Sequence, residues 1–185
     1  MDELYQYQAL ALCTDTRTRI FDLGPATEFH APLVGSLREV EIKDAIGQYK
    51  ALSYAWGSKI KTGAVLLDGK HLAITENCKV ALQYLRLPSE TRSLWVDSIC
   101  INQKNREERT QQVQQMGGIF QMAAQTLLWL GKPTSGTSIA MHYLGELHAR
   151  YHNPNREETA DWFQEIRSNV LGKLQIARHP SKPDT

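Results

Sequence analysis

The chain has 185 residues, with 21 basic against 20 acidic side chains and a formal charge of +1 at pH 7, so charge gives no pull toward nucleic acid or an anionic membrane. At 42% hydrophobic residues it is long enough to bury the core of one domain with an appendage. No apolar run approaches the roughly 20 residues that span a bilayer, and the opening MDELYQYQAL lacks the basic and apolar segments of a signal peptide. A cytoplasmic protein with no membrane span and no nucleic-acid partner is the expectation. Cys13, Cys78 and Cys100 form an odd set without CxxC spacing, which indicates neither a disulfide framework nor a metal site.

Taken in order, residues 1–16 are mixed in character and read as partly loose. Arg19 to Leu23 is a short strand stopped by Gly24-Pro25, and Glu39 to Ile42 alternates as a half-exposed strand does. Tyr49 to Ala55 is a third strand, with Trp56-Gly57 turning out of it. Ala64–Leu67 and His71–Ile74 flank Asp68-Gly69, a strong two-residue hairpin signal. Thr75 caps a helix that carries Cys78, Ala81, Leu82 and Leu85 on one face, and Pro88 follows as a stop.

The centre of the chain is Ser93 to Gly131. Leu94-Trp95-Val96 suits a strand buried on both faces, and a polar elbow runs from Asp97 to Arg109. The next segment is a helix with an apolar stripe at Val113, Met116, Gly117, Phe120, Ala123 and Ala124. Thr126 to Leu130 is a strand again. Strand, helix and strand in succession imply a parallel βαβ unit, and such sheets bind ligands outside the carboxyl ends of their strands, where the elbow sits. Ser138–Tyr151 and Glu157–Ala177 read as amphipathic helices, with a frayed tail from His179. The fold class is therefore α/β: three layers, a mostly parallel central sheet, an added β-hairpin and C-terminal helices. The domain spans 17–150, and 151–185 is a C-terminal helix and tail.

Several residues of this frame can carry chemistry. Asn105 followed by Glu108 is a variant of the capping box. A carboxylate at a helix start beside a strand-end crevice can also hold ribose hydroxyls or steady an oxocarbenium ion. Both roles stand for Glu108. Asp97 ends a buried strand, as an Asx-type turn or as a ligand contact. Cys100, between Ile99 and Ile101, reads as a packed thiol rather than a nucleophile. Gln103 and Asn102 either bind a ligand or close the loop's own backbone. In Ser53-Tyr54-Ala55-Trp56-Gly57 the aromatic pair packs or stacks a planar ring, with packing the default for Trp56. His148 and His152 lack a third ligand and an HExxH context.

Together, Tyr49-Lys50-Ala51-Leu52-Ser53-Tyr54-Ala55-Trp56-Gly57, Leu94-Trp95-Val96-Asp97-Ser98-Ile99-Cys100-Ile101-Asn102-Gln103, Glu108-Arg109 with Gln112-Val113 and Met116, and Trp129-Leu130-Gly131 resemble the fungal heterokaryon incompatibility (HET) domain. The resemblance runs over roughly residues 17 to 145. It implies a part in fungal non-self recognition and programmed cell death, and self-association or other incompatibility proteins as partners. The family is also similar, distantly, to TIR domains, whose flavodoxin-like sheet either assembles signalling complexes or hydrolyses NAD to nicotinamide and ADP-ribose. On that second resemblance Glu108 matches the catalytic glutamate. Ser53, Tyr54, Trp56, Asp97, Gln103 and Arg109 are then the substrate-binding set, with NAD as a substrate and no metal or resident cofactor. A non-catalytic signalling module and an inert truncated paralogue are the competing readings.

Overall fold

The computed structural model describes residues 3–10, 16–132 and individual positions as far as Glu146. The chain divides into two compact units, Met1–Gly131 and Lys132–Thr185. The second predicted C-terminal helix, the tail and the expected boundary at residue 150 lie outside the described residues, as does most of the first helix.

Among the described residues the first unit contains seven strands: β1 (Arg17–Leu23), β2 (Leu33–Glu41), β3 (Lys50–Tyr54), β4 (Gly63–Leu67), β5 (Lys70–Ile74), β6 (Arg92–Trp95) and β7 (Gln125–Trp129). Its helices are α1 (Glu76–Leu85), the one-turn α2 (Asp97–Cys100) and α3 (Arg106–Met122), with a short 3-10 helix at Ile42–Ala45. Local signals placed many of these. Asp68 and Gly69 both take positive φ, 51° and 80°, as a tight hairpin turn requires, and β4 pairs antiparallel with β5 across them. Thr75 caps α1 by accepting a hydrogen bond from the Cys78 N–H.

The strands form one sheet in the order β5-β4-β2-β1-β6-β3-β7. It is mixed, which corrects the expected mostly parallel layout. The β1–β2, β1–β6 and β4–β5 ladders are antiparallel, and β2–β4, β3–β6 and β3–β7 are parallel. The seven-residue β1–β2 ladder is the longest, so antiparallel pairing dominates one half of the sheet. The parallel half is β6-β3-β7, and its crossover is the predicted strand–elbow–helix–strand unit. That crossover skips a strand, since β3 lies between β6 and β7. The hairpin joins the opposite end of the sheet through β2, with β5 as the edge.

The core is a single apolar cluster built on Ile20, Phe21, Leu23, Leu52, Leu82, Leu94 and Trp95, all at most 2% exposed. Gly35 is fixed by close approach: a Cβ there would press on the Asp22 carbonyl and the Phe21 ring within the β1–β2 ladder. Gly35→Ala is expected to lower stability by about 1–3 kcal/mol, as overpacking does, which urea unfolding measures.

The buried face of α3 is not the predicted one. Val113 is 55% exposed, while Glu108, Gln112 and Ile119 face inward. Met116 and Phe120 are partly buried against the core, and Ala123 and Ala124 fall past the helix end. Apolar periodicity failed here because two of the inward side chains, Glu108 and Gln112, are polar and satisfied by β1. The Thr18 hydroxyl donates to Gln112 Oε1 at 2.7 Å, and Gln112 Nε2 donates to the Arg17 carbonyl at 2.6 Å. The Trp95 indole N–H donates in turn to the Thr18 hydroxyl at 2.9 Å. Buried polar groups paired this way escape the desolvation cost that normally drives them outward.

Candidate functional site: a two-chambered cleft at the elbow

The elbow begins where β6 ends. Asp97 opens α2, and its Oδ1 accepts the Ser98 N–H at 2.7 Å, fixing the turn out of the sheet. Gln103 Nε2 donates back to the Asp97 carbonyl at 2.9 Å and folds the elbow onto itself. From β3, the Tyr54 hydroxyl donates to Ser98 Oγ at 2.6 Å. Just beyond β3, the Trp56 indole N–H donates to Asp97 Oδ2 at 2.8 Å. Thus β3 and β6, parallel neighbours, deliver Tyr54, Trp56, Asp97, Ser98 and Gln103 to one place. Trp56 remains 40% exposed.

Two cavities open here and share Lys61, Ser98 and Gln103 as walls. The smaller, about 230 Å³, is apolar and bounded also by Trp56, Ala73 and Ile74, with Lys59 and Thr75 at its margin. The larger, about 340 Å³, is polar, with Asn102, Lys104 and Asn105 on the elbow side and Tyr5, Gln6 and Tyr7 opposite. Together they fall in the range of small-molecule sites, roughly 300–1,000 Å³. Neither cavity is lined by an acidic side chain, whereas three lysines face them.

Burial pushes the Asp97 carboxyl above its ordinary value of 3.8, against the hydrogen bonds from Trp56 and the Ser98 N–H, which lower it. A raised native value means that the folded protein binds this proton more tightly than the unfolded chain. Asp97 therefore adds stability as the pH falls from its raised native value toward 3.8, and the benefit is absent above that window. In Asp97→Asn this acid-side component should vanish, which urea unfolding at pH 7 and near the ordinary value of 3.8 would measure.

Glu108 lies under the elbow and does not line either cavity. It is 1% exposed and faces Arg19 of β1, itself 5% exposed. Arg19 Nη1 donates to Oε1 at 2.6 Å and Nη2 to Oε2 at 3.2 Å, a bidentate pair. The Asn102 N–H donates to the same Oε1 at 2.7 Å. Arg19 also donates to the Cys100 carbonyl at 3.0 Å and the Gln8 carbonyl at 2.6 Å, and lies 5.1 Å from the centre of the Tyr7 ring. The Asn105 cap is present, its side chain accepting from the N–H groups of Glu107 and Glu108. The Glu108 carboxylate does not return to the Asn105 N–H as a capping box would; that N–H donates to the Asn102 carbonyl.

Arg109 is exposed on the first turn of α3, and Ser53 is half-buried on β3; neither lines the cleft. Cys100 is fully buried, and burial pushes its thiol up to about 12. Sequence reasoning missed Arg19, Lys59, Lys61 and the wall from Tyr5 to Tyr7. Arg19 stands in β1 beside Arg17, Thr18 and Asp22, so it has no local signature, and neither have the others.

The fold and site define a mixed-sheet α/β domain with a ligand-sized cleft at the ends of parallel strands. The family model described as "Heterokaryon incompatibility protein (HET)" matches residues 49–181. The chain is also similar to heterokaryon incompatibility protein 6, OR allele, of Neurospora crassa, at 32% identity over 158 residues, covering 78% of this chain and 23% of that protein. The chain belongs to the HET family, and it spans about a quarter of the length of the relative it matches. No solved structure matches it. Among the described residues no helix is long and apolar enough to cross a membrane.

Proposed function

We propose that this chain is an effector of fungal non-self recognition that triggers programmed cell death, and that its elbow cleft binds a nucleotide of the NAD type. One observation carries the ligand reading: an apolar chamber walled by Trp56 and Ile74 joins a polar chamber at Lys61, and no acidic side chain lines either. A flat ring suits the first chamber, and a hydroxylated, anionic sugar phosphate suits the second.

Cleavage of the nicotinamide–ribose bond is the second reading, favoured by the Asp97 carboxyl group that the Trp56 indole holds beside the apolar chamber. Glu108 can act in such a step only if the elbow opens, because both of its oxygens are held by Arg19 and one also by Asn102. In the closed arrangement it positions the elbow.

The test is to titrate the purified full chain with ADP-ribose by calorimetry and to follow nicotinamide release from NAD. Saturable binding supports the cleft. Release of nicotinamide adds catalysis to it, and binding without release leaves a ligand-gated signalling module. Absence of both would remove the proposal.

A further inference from the structure

Residues 3–10 are fastened to the domain at several points. The Tyr5 N–H donates to the His71 carbonyl at 2.9 Å, and the His71 N–H donates to the Glu3 carbonyl at 2.8 Å, so the segment adds to the free edge of β5. Lys70 pairs with Glu3 at 2.8 Å. Further along, the Tyr7 hydroxyl donates to the Ile99 carbonyl of α2 at 2.8 Å, Arg19 holds the Gln8 carbonyl, and Leu10 is buried. These anchors come from β5, α2 and β1, three elements remote from one another in sequence. Of the stretch 1–16 expected to be partly loose, residues 3–10 are held in this way.

Held this way, the segment is the far wall of the polar chamber. Tyr5 and Tyr7 stand edge to face, their ring centres 5.2 Å apart, and Gln6 between them is exposed while lining the cavity. Across from them the elbow presents Asn102, Gln103, Lys104 and Asn105. Amides and tyrosines offer donors and acceptors to vicinal hydroxyls, and Lys61 and Lys104 supply positive charge without an opposing carboxylate. The HET family model begins at residue 49, so neither this wall nor Arg19 falls in the matched span.

Resting on the nucleotide reading of the cleft, we infer that the segment Tyr5–Tyr7 is the specificity wall of the site and forms, with Lys61 and Lys104, the subsite for the sugar phosphate of the ligand. The ring-binding chamber at Trp56 is common to any ligand with a planar base. The N-terminal wall selects those that carry a phosphorylated ribose.

The experiment compares ADP-ribose with adenosine, which lacks phosphate, on the full chain and on Gln6→Trp. Gln6 is exposed, so the substitution fills the chamber without removing an anchor, and a thermal melt checks that the fold is kept. Wild type is expected to prefer ADP-ribose over adenosine by about tenfold or more, the factor that one charge-assisted contact provides. Gln6→Trp should bring the two affinities together by weakening ADP-ribose alone. If wild type binds both probes and Gln6→Trp leaves their ratio unchanged, the segment is a cover and this inference fails while the cleft reading stands. If wild type binds neither probe, the cleft reading itself fails and this inference with it.

Discussion

Glu108→Gln is expected to lower the unfolding free energy by about 3–5 kcal/mol, the range seen when one member of a buried ion pair is removed. The reason is geometric. Arg19 and Glu108 are almost fully buried, and the guanidinium makes two bonds to the carboxylate. A neutral amide leaves that positive charge unmatched and points an N–H at one of its donors. The Asn102 N–H also depends on the carboxylate, so the elbow loosens along with the pair. Arg19→Met alone should cost a similar amount for the converse reason. The double variant Arg19→Met/Glu108→Gln should be destabilised by clearly less than the sum of the two, because it leaves no charge stranded. Urea unfolding of the four proteins measures the coupling. A Glu108→Gln protein within about 0.5 kcal/mol of wild type would show that the pair does not hold the elbow. Loss of activity in Glu108→Gln therefore says nothing of catalysis until its stability is known.

Trp56→Ala is expected to reduce ADP-ribose affinity by about 5- to 150-fold, since stacking of a base on an aromatic side chain is worth about 1–3 kcal/mol by alanine substitution. The loss of stability should stay small. Trp56 is an exposed residue just past the end of β3, and its one hydrogen bond goes to Asp97. Trp56→Phe separates the two contributions: it keeps a ring in the chamber and loses the indole N–H. Affinity retained in Trp56→Phe and lost in Trp56→Ala identifies stacking as the source, whereas equal loss in both assigns it to the bond with Asp97. Calorimetry and a thermal melt on the same samples distinguish a binding defect from a folding defect.

The sequence was informative wherever the cause was local. Asp68-Gly69 is a strong signal for a tight hairpin, Thr75 signalled a helix cap, and the Leu94-Trp95-Val96 run was too short for a helix and suited to a buried strand. The elbow was found because a polar stretch after such a strand in a βαβ unit lies where ligands bind. Strand order was not legible, because β1 meets β6 about 70 residues away and nothing near either strand encodes that pairing. The antiparallel half of the sheet was missed for that reason. The face of α3 was misread for a different one. Glu108 and Gln112 look like surface residues until Arg19 and Thr18, 89 and 94 positions earlier, are placed against them. A side chain's burial is a property of its partners, and those partners are remote. The same holds for the cleft: Trp56, Asp97 and Gln103 were candidates from sequence, but Lys59 and Lys61 of the β3–β4 loop and the N-terminal wall, which help give it charge and shape, come from parts of the chain remote from the elbow.

Cell viability after induced expression of wild type and Trp56→Ala in a fungal host, with both proteins at equal abundance, tests the central claim most directly. If the elbow cleft is the working part of this HET domain, wild type kills and Trp56→Ala does not, although its melting temperature falls only slightly. Equal killing by the two proteins would contradict it.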